Sequence, residues 1–364
     1  MSKRGKILVA MSGGLDSTMA ALMLHDEGYE VVGVTMKTFD YAKSGGSKKE
    51  TGCCNLDTIN DARAVAVKNG FAHYILDIKD EFGKAVIDDF VSEYLSGRTP
   101  NPCVLCNTHV KWDVLLQKAN AMDCEFIATG HYARKGEVNG RHFIKKAIDD
   151  TKDQSYVLWG LKQDSIKRTI FPLGDLRKTN VREMAVDAGY DEVANKPESY
   201  EICFVPDNDY RGFLKRQVPE LEKKVSGGNY VNSDGKILGT HEGFPFYTIG
   251  QRKGLGIAMG EPMFVTRIDA QKNEVELGLI DELNRTEMFV HQLTWQKFEH
   301  ANTPINAQSK IRYKDKGHSS TLKAAHDKLL VTFNEKVAGI APGQSAVFYD
   351  GDDIIAGGRI YSSW

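Results

Sequence analysis

Three groups of residues in this chain have types and spacings suited to chemistry. The first is Ser12-Gly13-Gly14-Leu15-Asp16-Ser17, directly after the apolar run Ile7-Leu8-Val9-Ala10-Met11. A strand, a glycine-rich turn with hydroxyls and the helix-forming run Thr18 to His25 together build a cradle for phosphate. Gly13 and Gly14 allow φ > 0 and a close approach of backbone to an anion. Their N–H groups, with those of the helix N-terminus, stabilise its charge. Ser12 and Ser17 offer hydroxyl donors, and Asp16 is a candidate Mg²⁺ ligand. The lysine and glycine spacing of the mononucleotide P-loop is missing. So is the third glycine of the dinucleotide fingerprint.

The second group is Cys103-Val104-Leu105-Cys106, which follows Thr99-Pro100-Asn101-Pro102. The prolines stiffen the chain ahead of a helix, so both thiols fall near its N-terminal end. There the helix dipole and unused N–H groups favour a thiolate. Such a pair is a redox couple, half of a metal site or a packed coincidence. A zinc site needs a second close pair, and only Cys203, in Tyr200-Glu201-Ile202-Cys203-Phe204, remains to join it. Beside Ile and Phe, Cys203 also reads as a small buried hydrophobe. Cys53-Cys54 and Cys124 read as packed thiols. The third group is Gly130-His131, where His131 is a ligand contact or a capping residue. Arg252-Lys253 is a solvated or an RNA-facing loop, and Tyr156 and Trp159 face the core.

These groups need a frame. Candidate strands Ile7–Met11, Val31–Met36, His73–Asp77 and Phe126–Thr129 alternate with candidate helices Asp16–Glu27, Leu56–Asn69, Glu81–Leu95 and Lys111–Met122. That order predicts βαβ units and a parallel sheet covered on both faces. Ligands then belong at the carboxyl ends of the strands, which is where Ser12–Ser17, Met36-Lys37 and Gly130-His131-Tyr132 fall. Lys43–Gly52 reads as a surface loop, and Asn139-Gly140 as a hairpin turn. Asp153–Leu161 and Thr179–Ala188 look helical. Beyond Gln217 short β runs take over: Asn229–Val231, Lys236–Thr240, Phe246–Ile249, Phe264–Asp269 and Glu274–Leu277. A second series, Gln308–Tyr313, Ser320–Ala325, Leu329–Phe333 and Ser345–Tyr349, suggests a small barrel. The expected architecture is α/β: a parallel-sheet phosphate-binding domain over 1–212, a small β module over 213–281, and a C-terminal β-barrel over 282–364.

At 364 residues the chain exceeds one ordinary domain. Its 41% hydrophobic and 26% charged residues are those of a soluble globular protein. A formal net charge of −2 gives no overall basic signature, so a nucleic-acid partner needs a local basic face. No signal peptide and no apolar run long enough to span a bilayer is visible. Six cysteines in such a chain read as reduced thiols and favour the cytoplasm.

The Ser12–Ser17 string resembles the pyrophosphate loop of the PP-loop ATP pyrophosphatases. That likeness implies cleavage of ATP between its α and β phosphates. More broadly, the chain resembles the tRNA-specific 2-thiouridylases. The resemblance rests on Met11–Ser17, Gly33-Val34-Thr35-Met36-Lys37, Thr99-Pro100-Asn101-Pro102, Ala128-Thr129-Gly130-His131-Tyr132-Ala133-Arg134 and Lys152-Asp153-Gln154-Ser155-Tyr156. Glu198-Ser199, Ile202-Cys203-Phe204 and Tyr247 to Gly256 extend it over nearly the whole chain.

The resemblance implies ATP held by Ala10, Met11, Ser12, Gly13, Gly14, Leu15, Asp16 and Ser17, with Met36 and Gly130 at the nucleotide. It implies a wobble uridine near Asn101, Pro102 and Cys103. Further tRNA contacts are expected at His131, Lys152, Asp153, Gln154, Arg312, Tyr313 and Gln344. Cys203 would carry a persulfide from a sulfur-relay donor protein, and Cys106 would be its partner thiol, closing a disulfide on release. Adenylation of the uracil C2 oxygen makes AMP the leaving group, and sulfur replaces the oxygen. A base must leave its stack to reach such a site.

Some members of the family carry Asp where this chain has Cys103. The departure creates a set of three thiols, Cys103, Cys106 and Cys203. Related sulfur-inserting tRNA enzymes hold a 4Fe–4S cluster on three cysteines, so the same thiolation through such a cluster is a second expectation. Another adenylating PP-loop ligase has no use for Cys106 and Cys203. A non-catalytic RNA-binding protein has none for an intact Ser12–Ser17. The expected enzyme is a cytoplasmic, monomeric tRNA-uridine 2-sulfurtransferase that uses ATP and Mg²⁺ and touches no membrane.

Overall fold

The structure, a computed structural model, describes residues 4–39, 56–197, 202–205, 207–258, 260–300 and 303–364. Lys43–Gly52, Cys53-Cys54 and Glu198-Ser199 lie outside the described residues. The chain divides into two compact units, each built from more than one stretch of sequence.

The first unit holds residues up to 86, then 103–208 and 352–354. Its sheet is built from β1 (Lys6–Ala10), β2 (Glu30–Lys37), β3 (Ala72–Asp77), β4 (Phe126–Thr129) and the short β7 (Thr169–Ile170). The spatial order is β3-β2-β1-β4-β7, and every pairing is parallel. β1 is central, so Ile7, Leu8 and Val9 are buried on both faces. This is why that run is apolar without alternation. Helices α1 (Leu15–Asp26) and α2 (Leu56–Asn69) follow β1 and precede β3. Ile7, Val9, Leu15, Met19, Leu22, Ala62, Val65, Val181 and Ala185 share one core. The chain leaves β1 toward β2 on one side and reaches β4 on the other. The crevice at such a reversal, outside the carboxyl ends of β1 and β4, is where this architecture receives ligands. A hairpin, β5 (Arg134–Val138) and β6 (Arg141–Lys145), follows β4 through the expected Asn139-Gly140 turn.

Two helices differ from expectation. The run expected over Lys111–Met122 begins earlier, at Pro102, whose missing N–H is harmless in a first turn. It passes through a π-helical turn, Cys106–Lys111, before α3 (Trp112–Ala121). The helix expected over Glu81–Leu95 contains a second π turn at Gly83–Ile87. An inserted residue breaks the 3.6-residue apolar period and hides the start of the first helix, whereas the second is continuous over its expected residues. Asp153–Leu161 forms only one 3₁₀ turn, Ser155–Leu158.

The second unit holds residues 87–102, 209–351 and 355–364. In it β8 (Gly228–Val231), β9 (Ile237–His241), β10 (Phe264–Asp269) and β11 (Glu274–Gly278) form a sheet ordered β10-β11-β8-β9. The strand expected over Phe246–Ile249 is instead a 3₁₀ turn, Phe244–Phe246. Pro245 has no N–H to give a ladder.

The remaining strands are β12 (Asn284–Trp295), β13 (Ile305–Lys310), β14 (His318–Ala325), β15 (Lys328–Ala338), β16 (Ser345–Asp350) and β17 (Asp353–Ser363). They run in the order β12-β15-β14-β13-β16-β17, and a β12–β17 pairing closes the barrel. Met288, Val290, Leu322, Val331, Phe348 and Ile360 fill its interior. β12 escaped the sequence reading because its register shifts at Phe289/Val290 and again between His291 and Thr294, which interrupts the two-residue alternation.

Candidate nucleotide and thiol site

The Ser12–Ser17 segment sits where the sheet geometry requires, between β1 and α1. Gly13 has φ +74°, a conformation L side chains rarely adopt. A Cβ there would lie 2.0 Å from the Thr58 carbonyl oxygen, so the site is closed to any other residue. Gly14 occupies the N-cap position of α1 with no side-chain cap bond. The first N–H groups of α1 are thus left for an anion rather than for a Ser, Thr or Asp cap. Thr18 N–H makes the first turn's bond to the Gly14 carbonyl, at 3.1 Å.

The Ser17 hydroxyl organises the loop. It accepts from the Ser12 N–H at 2.9 Å and donates to the Gly14 carbonyl at 3.2 Å. Its one proton is spent there, so in the 3.1 Å contact between the two hydroxyls Ser12 is the donor. Across the crevice, Gly130 follows β4. A Cβ on it would lie 2.7 Å from the Ser17 nitrogen, so only glycine lets this loop approach α1.

Ala10 pairs with Val34 and Thr129, and Met11 N–H donates to the Val34 carbonyl at 2.8 Å. The Met11 carbonyl accepts from Thr35 Oγ1 at 2.7 Å. Thr35 has no second proton, so at 2.9 Å His73 Nε2 donates to it. Burial, with Arg63 adding to it, lowers the His73 pKa and keeps that ring neutral. Met36, the penultimate residue of this strand, is half-buried.

Asp16 is held by other side chains of its own unit. Both of its oxygens accept from Lys178 Nζ, at 2.6 and 2.8 Å, and one accepts from the Tyr132 hydroxyl at 2.9 Å. The cation beside this carboxylate is an ammonium of the chain itself, and a metal ion here would have to displace it. Lys178 is buried and opens the helix α4 (Lys178–Asp187). Its N–H donates to Asp149 Oδ2 at 2.9 Å. Lys178 and the pair Lys196–Asp61, which reaches the Gly13 carbonyl, were absent from the sequence reading, whereas Tyr132 lies in a loop it had marked. For Lys178 one signal existed. A lysine in the first turn of a helix opposes the macrodipole, so it needs a partner elsewhere.

Among the described residues Cys103, Cys106, Cys124 and Cys203 are free thiols, and none is in a disulfide. Cys106 is buried in the π turn, whereas Cys103, one turn earlier, is exposed. Surrounding protein nevertheless pushes the Cys103 thiol up, with Lys111 pulling it back. The thiolate expected from a helix N-terminus is therefore not favoured at Cys103. Cys203 is half-buried and follows the described residue Ile202. Among the described residues no three His, Cys, Asp or Glu side chains gather as a metal site. Cys103, Cys106 and Cys203 are thus not gathered as a group of three in this structure. Cys124 is packed, as read.

The residues expected at tRNA divide by what their polar atoms already do. Asp153 Oδ1 accepts from the Ala147 and Ser155 N–H groups, and Oδ2 from the Ser155 hydroxyl. Gln154 Oε1 accepts from Tyr132 N–H at 2.9 Å. These two side chains brace the loop after β4, while Lys152 is half-exposed beside them. His131 lies against Trp112, ring centroids 5.5 Å apart, with Nδ1 2.8 Å from Thr129 Oγ1. Burial, aided by Lys111, lowers its pKa to about 3.

In the second unit Gln344 Nε2 donates to the Thr99 and Pro100 carbonyls at 3.1 and 2.8 Å. It thus fixes the strap that carries Asn101 and Pro102. Arg312 and Tyr313 stand exposed on a turn that Asp315 holds by accepting from Ile311 N–H at 3.0 Å.

An uncapped helix behind a glycine cradle, on a parallel sheet joined to β modules, defines an α/β nucleotide-binding protein with β-barrel appendages. Family models agree with this class. Residues 5–207 match a tRNA methyl transferase HUP domain, 211–278 a tRNA methyl transferase PRC-barrel domain, and 285–360 an aminomethyltransferase beta-barrel domain. The chain is 61% identical to the tRNA-specific 2-thiouridylase MnmA of Cytophaga hutchinsonii, over 100% of this chain and 99% of that one. It is 57% identical to the protein of the same name from Amoebophilus asiaticus, over 100% and 96%. For the Salinibacter ruber protein the identity is 51%, over 99% and 95%. The chain belongs to the tRNA-specific 2-thiouridylase family. Among the described residues no helix is long and apolar enough to cross a membrane.

Two outcomes follow from this geometry. Gly13→Ala forces a Cβ against Thr58 at a positive φ, and ATP binding measured by calorimetry should fall at least about tenfold. An unfolded His131 takes up a proton near 6.5 and the folded one only near 3. The unfolded chain therefore binds more protons between these values, and stability is lost as pH falls through that window. Urea midpoints at pH 7 and pH 5 should differ less in His131→Gln than in the wild type. An equal difference would refute the buried neutral ring.

Proposed function

We propose that this protein replaces the C2 oxygen of the wobble uridine in tRNA by sulfur, at the cost of one ATP cleaved to AMP and pyrophosphate. The observation that carries this reading is the uncapped start of α1 behind Ser12–Gly14, in the same unit as Cys106 and Cys203. The chain's relatives, named tRNA-specific 2-thiouridylases over their full length, support the substrate class.

A uracil C2 oxygen is a poor leaving group. Its attack on the α-phosphorus of ATP expels pyrophosphate, which the N–H groups of Gly13, Gly14 and the first turn of α1 would hold. Mg²⁺ would serve the phosphates, with Asp16 its ligand only once Lys178 has moved aside. The adenylated C2 then accepts the terminal sulfur of a Cys203 persulfide, and AMP departs with the C2–O electrons. Attack by the Cys106 thiolate on Cys203 Sγ breaks the S–S bond and leaves sulfur on C2. It joins the two cysteines in a disulfide, which a thiol reductant must open before the next turn. A sulfur-relay protein supplies the persulfide. The unlike exposure of Cys103 and Cys106 supports this route over one through an iron–sulfur cluster.

Domain limits near 212 and 281 accord with the spans of the three family models. In the same reading Asn101, Pro102, Lys152, Arg312 and Tyr313 meet the RNA. Asp153, Gln154 and Gln344 hold the segments that do so. Exposed Arg and Tyr suit phosphate and stacking contacts.

Nucleosides from tRNA incubated with the protein, ATP and a persulfide donor should contain 2-thiouridine by mass spectrometry. Cys106→Ser and Cys203→Ser should each abolish it while ATP still binds. Single-turnover thiolation that survives both changes would sink the sulfur-transfer assignment.

A further inference from the structure

We infer that Lys196, held by Asp61, is a positioning residue that aims the pyrophosphate loop. This rests on the reading that Ser12–Ser17 binds the pyrophosphate portion of ATP. Lys196 Nζ donates to the Gly13 carbonyl at 3.0 Å and forms an ion pair with Asp61 of α2. Both side chains are only part-exposed.

The carbonyl of Gly13 and the N–H of Gly14 belong to one planar trans peptide, so they point in opposite directions. A cation on the Gly13 oxygen therefore fixes where the Gly14 N–H points. With the oxygen held toward Lys196, the Gly14 N–H faces away from it. If the peptide turned over, the carbonyl dipole would replace an N–H donor at the anion. Gly13 is the residue most able to permit that turn, since glycine visits both signs of φ. Thr58 limits it sterically, its carbonyl standing where a Gly13 Cβ would fall. Lys196 limits it electrostatically. Asp61 lies three residues beyond Thr58 on the same helix, so one element supplies both restraints. The lysine also lies seven positions before Cys203 in the chain. The segment leading to the sulfur-bearing cysteine thus begins with a bond to the pyrophosphate loop.

The test is binding of inorganic pyrophosphate by calorimetry, with the KM for ATP and kcat from AMP formation in the presence of tRNA. Lys196→Met should weaken pyrophosphate binding and raise the KM by about tenfold, the effect of one charge-assisted hydrogen bond, with kcat changed less. Lys196→Arg keeps a donor and a partner for Asp61 and should stay within about threefold of wild type. Thermal midpoints without ligand should be close in all three proteins, while the shift induced by pyrophosphate should shrink only in Lys196→Met. Wild-type pyrophosphate binding in Lys196→Met overturns the inference and leaves the functional reading standing. Equal losses in the Met and Arg variants also overturn it, in favour of a bulk structural role. A wild-type protein that binds neither pyrophosphate nor ATP removes the functional reading and the inference together.

Discussion

A buried ammonium, Lys178, sits between the two oxygens of Asp16 at the first turn of α1, and much of the nucleotide site depends on that contact. It ties together three loops that are distant in sequence. Asp16 belongs to the cradle after β1, Tyr132 to the loop after β4, and Lys178 to the start of α4. An ion pair taken out of water costs desolvation that its own attraction only partly offsets. The pair is therefore better understood as a means of fixing geometry than as a source of stability. Removing either partner would leave an uncompensated charge in a part-buried setting, which is strongly unfavourable. The Tyr132 hydroxyl and the Asp149 bond to the Lys178 N–H complete the arrangement. A carboxylate in the first turn already complements the helix dipole. With Lys178 beside it, the cradle gains no net negative charge that would repel phosphate.

The parts of this site that were legible in the sequence are those with local causes. The strand–turn–helix of Ile7 to His25 is written in consecutive residues, and β4 ends at Thr129 as its pattern predicts. Gly13 and Gly130 are needed for reasons of backbone approach that composition alone suggests. What escaped was relational. Lys178 and Lys196 lie 162 and 183 positions from the loop atoms they hold. No local pattern encodes such a pairing. The assignment of Mg²⁺ to Asp16 failed to anticipate a lysine as the nearer cation for the same reason. Asp153, Gln154 and Gln344 were expected at RNA from the family resemblance, which says nothing of how their polar atoms are held. Within the chain they bond chiefly to backbone. Burial and hydrogen bonding are properties of the fold, and a lone sequence shows only the residue type.

The two cysteines that follow Pro102 differ in exposure. In a regular helix a three-residue spacing would place Cys103 and Cys106 on nearly one face. Here Cys106 opens a π turn, and the two thiols differ in exposure. Single π turns within helices tend to occur where function needs a local departure from regular geometry. The turn runs straight into Trp112, whose indole N–H donates to Thr169 Oγ1 at 2.9 Å, fixing the helix beside β7. Asn107 Nδ2 donates to the Val157 carbonyl at 3.0 Å and holds the turn from the other side. Cys106 is thus presented by a segment anchored at both ends.

Sulfur chemistry makes this rigidity meaningful. A thiol is most useful as a nucleophile when it ionises near ambient pH. The thiol pushed up by its surroundings, Cys103, is the one the proposed steps do not require. A thiol in this setting stays neutral at pH 7. Cys103 therefore contributes shape and a weak donor next to Asn101 and Pro102 in the chain, rather than charge. The neutral His131 ring lies against the same helix, 5.5 Å from Trp112. With burial holding its pKa near 3, it does not supply a proton at neutral pH. Neither Cys103 nor His131 is therefore a proton donor at neutral pH in this setting, and the proposed exchange of oxygen for sulfur draws on neither.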